Sequence, residues 1–177
     1  MTRPRGHGWQ TRTVHFQAGH DFTAPATRVG ELMSDPDFQS QLELPDLSLP
    51  EVVAHEVDGP RRVLRLRYQY TGQIDSFAKR IVGNRQLTWV QELRLDVGTG
   101  VGTLSFSADE DAGRVNGDAS VAITTTGADR SHRGIAGDFR IRIPLVGGTA
   151  EKKIVPGLVR RLDVEASALA ARLAADG

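Results

Sequence analysis

From Val52 to Ile143 apolar and polar residues keep alternating with a period of two, and only the stretch 74–83 interrupts the alternating runs. Successive side chains of a strand point to opposite faces, so such runs are strands with one buried and one wet face. Strands in direct succession pair antiparallel. The runs are Val52 to Val57, 62–70, 87–95, about 101–108, 115–125 and 132–143. In the second, Leu64, Leu66, Tyr68 and Tyr70 alternate with Arg65, Arg67 and Gln69; in the third, Leu87, Trp89, Gln91, Leu93 and Leu95 form the inner face. The last carries Ile135, Phe139, Ile141 and Ile143 against Arg140 and Arg142. Asp58-Gly59-Pro60 is a turn. Gly98-Thr99-Gly100-Val101-Gly102 joins two strands and opens no helix, so it is a hairpin turn rather than a phosphate loop.

One more strand precedes these. Val14, Phe16, Ala18, His20 and Phe22 share a face, opposed by Thr13, His15, Gln17 and Asp21. Pro25 suits the first turn of a helix carrying Val29, Leu32 and Met33. Asp35 followed by Pro36 is an N-cap and first helical residue for a second short helix beginning near Phe38. Residues 74–83, with Ile74, Phe77, Ile81 and Val82, break the alternation and predict a short helix or ordered loop. Beyond Pro144 and Gly147-Gly148 the pattern changes to helical: Ile154, Leu158, Leu162, Ala166, Leu169 and Leu173 fall on one stripe over 149–175. Pro156 lies in its first turns and predicts a kink or a late start.

The order is strand, two short helices, six strands and one long helix: an α+β chain whose curved antiparallel sheet of about seven strands grips the last helix on its concave face. Residues 1–9 read as a flexible tail, and 10–177 as one domain.

Composition excludes several classes. Lys+Arg and Asp+Glu are both 22, so no basic excess is available for nucleic-acid phosphates. There are no cysteines, which removes disulfides, thiol nucleophiles and Cys-held metals. No apolar run approaches the ~20 residues of a membrane span, and no signal-peptide pattern follows the first residues. The expected address is cytoplasmic. The five histidines, His7, His15, His20, His55 and His132, show no metal-ligand spacing, and His15 and His20 have opposite strand parity. No nucleophile elbow is present. The sequence calls for no metal and no cofactor, and shows no catalytic set.

Several motifs carry a likeness. Phe22-Thr23-Ala24-Pro25, Val29, Leu32 and Asp35-Pro36 resemble the strand exit and double helix of the START-like superfamily, also called SRPBCC or helix-grip proteins. Pro144-Leu145-Val146-Gly147-Gly148 with Glu151-Lys152, together with His20-Asp21-Phe22 and Val57-Asp58-Gly59, resembles more closely the actinobacterial family named domain of unknown function 2505. Pro156 and the N-terminal tail depart from the pattern. The resemblance implies a cavity between sheet and long helix that often holds lipids, sterols, polyketides or aromatic metabolites. It supplies no catalytic residue.

The candidate ligand-binding residues are those of the inward register. Phe16, Leu66, Trp89, Phe106, Leu158 and Leu162 would meet an apolar body. His20, His55, Tyr68, Tyr70 and Gln91 are polar groups set among apolar ones, and His20 and His55 could meet in space. Buried polar groups cost about 1–3 kcal/mol each when unpaired, so they pair with one another, with water or with a ligand. Access would need movement of the 71–84 segment or of the start of the last helix. The arginines Arg65, Arg67, Arg140 and Arg142 belong to the wet face with Glu56, Glu92, Asp118 and Asp138 in mixed-sign pairs.

Three functions stay open. The first is noncatalytic binding or carriage of a hydrophobic or amphipathic small molecule. The second is a cyclase- or isomerase-type enzyme on a polyketide-like substrate, which needs a roomy cavity and a histidine directed into it. The third is an interaction protein with a closed cavity, favoured if the cavity takes no more than water. Nothing in the sequence points to a particular protein partner.

Overall fold

The computed structural model describes residues 11–73, 85–109, 115–142 and 149–177, together with Ser76, Lys79 and Gly83. The expected N-terminal tail, most of the 74–83 segment with its apolar residues, Ile143 and the 144–148 junction lie outside the described residues, as does the side chain of Ile154.

Seven strands form one sheet: β1 (Thr11–Phe22), β2 (Glu51–Asp58), β3 (Arg61–Gln69), β4 (Thr88–Asp96), β5 (Val101–Ala108), β6 (Val115–Gly127) and β7 (Arg130–Arg142). Their order is β1-β7-β6-β5-β4-β3-β2, antiparallel throughout. Neighbours from β2 to β7 are also neighbours in sequence; only β1 pairs with a distant strand, from Thr11 opposite Arg142 to Phe22 opposite Ser131. Helices α1 (Ala26–Met33) and α2 (Pro36–Ser40) carry the chain from one sheet edge to the other. Asp35 caps α2 as expected, its Oδ1 accepting from the N–H groups of Asp37 at 2.8 Å and Phe38 at 3.0 Å. In α1, Gly30 lies against Leu95, Val97 and Ile123, where a Cβ would come within 3.3 Å of Leu95.

The period of two reappears as burial. In β4, Gln91, Leu93 and Leu95 are buried; in β3, Leu64, Leu66 and Tyr68 are. The opposite face is wet and charged: Arg65 pairs with Glu92, Arg67 with Glu51 and Asp109, and Arg140 with Asp118. Between β4 and β5 the glycine-rich run is a turn. Asp96 accepts there from the backbone of Thr99 and Gly98, which holds its carboxyl below the usual range. Gly100 has φ +72°, and a Cβ on it would strike the Ile123 carbonyl oxygen.

The last helix, α3 (Thr149–Ala175), lies on the inner face. Leu162, Ala166 and Leu169 are buried among Phe16, Leu93, Leu104, Phe106 and Ile135, with Leu158 and Leu173 half-buried beside them. The helix does not start late: Pro156 sits within it, its ring exposed. No helix among the described residues is long and apolar enough to cross a membrane.

Two substitutions test the register of α3 and of β2. Leu169→Ala, at a fully buried position, should cost about 2–5 kcal/mol, while Val57→Ala, exposed on β2, should stay within about 0.5 kcal/mol of the parent. Urea midpoints check both. Equal effects at the two positions would contradict the packing described.

Candidate functional site

A cavity lies between the concave face and α3. Its apolar wall comes from Leu64 and Leu66 of β3, Leu93 of β4, Leu104 of β5 and Ile135 of β7, closed by Met33 and Leu162. Gln39, Gln91, Arg161 and Glu165 add polar groups. The space is small, about 10 Å³ over the positions a water's centre can take, or room for about one water.

Of the residues expected from sequence, Leu66, Gln91 and Leu162 line this cavity. Phe16 and Phe106 are buried in the surrounding core, their ring centroids 6.3 and 5.4 Å from that of Phe139. Leu158 packs half-buried against that core. Tyr68 and Trp89 face each other across β3 and β4 and stack, with centroids 5.8 Å apart and planes at 21°. They belong to a second apolar cluster with Leu42, Leu44, Leu64 and Leu66, beside the cavity rather than in its wall.

Two expectations are corrected. His55 stands opposite Leu64 on β2 and so has inward parity, yet it is exposed and does not meet His20. β2 is an edge strand, and its whole length is exposed apart from half-buried Ala54, so alternation there does not report burial. Tyr70 lies past the end of β3, bridged to Leu47, and its hydroxyl donates to the Gln73 carbonyl at 3.3 Å. It is satisfied at the rim.

His20 is part of a buried network that sequence reading missed. Arg133, on β7, is fully buried. Its Nη1 donates to Glu165 Oε2 at 3.0 Å, and its Nη2 reaches the Leu162 carbonyl at 3.3 Å and His20 Nδ1 at 3.2 Å. Its Nε has no partner among the described residues, and its guanidinium sits 5.8 Å from the Phe22 ring centre. A guanidinium only donates, so His20 Nδ1 accepts; Nε2 then carries the proton and donates to Asp163 Oδ1 at 2.8 Å. Both ring nitrogens are engaged. Gln39 completes the network, donating to Glu165 Oε1 at 3.1 Å and to the Met33 carbonyl at 3.0 Å. A signal for Arg133 was present: its odd number puts it in the inward register of Ile135, Phe139 and Ile141. Glu165 and Arg161 flank the apolar stripe of α3 by one helical step, where a stripe of every third or fourth residue gives no warning.

Arg161 also went unnoticed. It projects from α3 over the Tyr68 ring, 4.4 Å from the centroid, and lies 6.0 Å from that of Phe106, while donating through Nη2 to Gln91 Oε1. Among the described residues the buried Tyr68 hydroxyl has no hydrogen-bond partner of good geometry, and Arg161 lies over its ring. Burial pushes the Tyr68 phenol above its ordinary range, with the Arg161 charge opposing.

Two measurements follow. Arg133→Met should cost about 3–5 kcal/mol, because it removes a fully buried cation from a mostly buried carboxylate, and adding Glu165→Gln should recover part of that. Urea unfolding of the parent, both single variants and the double variant checks this; strictly additive losses would contradict a Glu165–Arg133 pair. In Tyr70→Phe, Tyr68 is the sole tyrosine, and its phenolate absorbance should rise at higher pH than in the unfolded chain. A phenol raised in the folded state contributes stability that is fully present below the ordinary value of about 10 and is lost as pH climbs through the folded value. A phenolate signal appearing at the free-tyrosine pH in the folded protein would contradict the buried placement.

Comparison with known proteins fits this architecture. TTHA0849 from Thermus thermophilus superposes with a TM-score of 0.64 at 19% identity, over 92% of this chain and 99% of that one. The Zhui aromatase/cyclase from Streptomyces sp. R1128 gives 0.55 at 18% identity, over 91% and 93%. A START superfamily protein from Mycobacterium smegmatis gives 0.55 at 14% identity, over 92% and 99%. These likenesses show the helix-grip fold. A search of curated protein sequences returned no match. The family model described as "Protein of unknown function (DUF2505)" matches residues 17–173, and with nearly its whole length covered the chain belongs to that family.

Proposed function

We propose that this protein binds a hydrophobic or amphipathic small molecule between its sheet and α3, without reacting with it, and that it does so in the cytoplasm. The observation that carries this reading is a mostly apolar cavity at the centre of the fold into which a few polar side chains are set, the usual make-up of a small-molecule site. Leu66, Leu104 and Leu162 meet the apolar body; Gln91 and its neighbours on α3 meet the polar end. The cavity takes about one water as it stands, so a ligand enters by parting the α3 side chains from β3–β5. A lipid, a polyketide or an aromatic metabolite would each suit such walls, and neither a nucleic acid nor a bilayer would.

The same small volume favours a second reading, an interaction protein whose cavity is closed by its own side chains. The likeness to an aromatase/cyclase is the ground for an enzyme on a polyketide-like substrate. Against it stand the small space and the engagement of both His20 nitrogens.

Fluorescence titration with the neutral apolar probe N-phenyl-1-naphthylamine separates the readings. The parent should bind it saturably and one-to-one. Leu162→Ala should bind it several-fold more tightly by opening space beside Leu66 and Leu104, at a stability cost of about 2–5 kcal/mol. No saturable binding by either folded chain would leave the closed-cavity protein as the function.

A further inference from the structure

We infer that the molecule held under α3 is an acid, and that Arg161 pairs with its anionic head. The inference rests on the binding reading above and names the chemistry of the ligand. It comes from charge accounting around the cavity. Two cations, Arg133 and Arg161, approach it from β7 and α3, while Glu165 is the carboxylate in the described wall. Both oxygens of Glu165 have partners: Oε2 takes Arg133 and Oε1 takes Gln39. Asp163 faces outward, well exposed, and is held by His20. Arg133 is therefore answered and Arg161 is not. No carboxylate lies within ion-pairing distance of Arg161 among the described residues; its polar partner there is the neutral amide of Gln91.

The geometry around Arg161 suits an incoming carboxylate. Its guanidinium is laid over the Tyr68 ring, which holds the plane in place and leaves N–H groups along its edge. Because a guanidinium only donates, the oxygen of Gln91 must face it, and the Gln91 amide nitrogen keeps its two N–H groups, for which no acceptor is found among the described residues. A carboxylate can take two parallel hydrogen bonds from Arg161 and a third from Gln91. An alcohol head would leave the half-buried guanidinium without a counter-ion among the described residues, and an amine head would be repelled. Leu64, Leu66, Leu93 and Leu104 then receive the rest of the molecule. The bond exchanged on binding is the one between Arg161 and Gln91. The shared chemistry is a carboxylate on an apolar body, and an aliphatic or an aromatic skeleton would both supply it.

Matched pairs test this: decanoate with 1-decanol, and 2-naphthoate with 2-naphthylmethanol, each displacing N-phenyl-1-naphthylamine at about pH 7, where both acids are ionised. At least one acid should bind about tenfold or more tighter than its alcohol, as a charge-assisted hydrogen-bonded pair predicts. Which pair shows the preference identifies the skeleton. Arg161→Gln should bring that ratio to near one, and Arg161→Lys should keep part of it. Acids and alcohols of equal affinity in a parent that binds the neutral probe would overturn the acid assignment and leave the binding reading standing, as would an acid preference undiminished in Arg161→Gln. Should Arg161→Gln not fold, the parent's ratio and the Arg161→Lys ratio decide the matter. A folded parent that takes no neutral probe overturns the binding reading itself.

Discussion

The seating of α3 on the concave face is the contact on which the rest of the structure depends. Leu162, Ala166 and Leu169 supply the stripe that covers Phe16, Leu93, Leu104 and Ile135, residues four different strands bring together. Without that helix, an antiparallel sheet with one charged face would present an apolar face to water, which a single sheet cannot sustain. The stripe alone would allow α3 to slide or turn. Arg133 prevents that by holding three groups of the helix and of β1 at once: the Glu165 carboxylate, the Leu162 carbonyl and His20. A buried cation paired with directional acceptors is a poor source of net stability but a strict positional reference.

This division of labour sets off the few polar groups of a small, mostly apolar cavity. The wet face handles its charge by cross-strand pairing in solvent, where each pair is worth little and costs little. The space between sheet and helices holds Arg133, Gln39 and Gln91 buried, with Arg161 and Glu165 half-buried from α3, in a place where leucine would pack at no desolvation cost. Arg133 and Glu165 answer one another. Arg161, laid over aromatic rings and bonded to an amide, is the member whose presence a purely structural core does not require.

The fold was legible because the apolar period is two over most of the chain and helical at the end, and because turn chemistry at Pro25, Asp35-Pro36 and Asp58-Gly59-Pro60 marks the joints. All seven strands, α1, α2 and α3 stand where those patterns put them. The site was legible only in part. Strand parity put Leu66 and Gln91, and the helical stripe put Leu162, where they line the cavity, but parity reports which face a residue shares, not whether anything covers it. That is why His55, inward by register with Leu64, is exposed at an open edge. Polar residues that break a strand pattern, such as Arg133, look like solvent-facing charge unless their parity is counted. Those that flank a helical stripe, such as Arg161 and Glu165, are indistinguishable from a solvated helix face until the sheet is in place. Tyr68 and Trp89 had the right face, but their stacking fills a cluster beside the cavity, an outcome set by the neighbouring Leu42 and Leu44 rather than by either strand alone.

The central claim is that a small acid occupies the space under α3. Native mass spectrometry of the protein purified gently from its own cells, followed by organic extraction, addresses it directly. The account predicts a population heavier than the 19.2 kDa chain by one small molecule, which is released on unfolding and is recovered as a carboxylic acid. A bare chain mass under conditions gentle enough to preserve noncovalent complexes, or a recovered ligand with no acidic group, would contradict it.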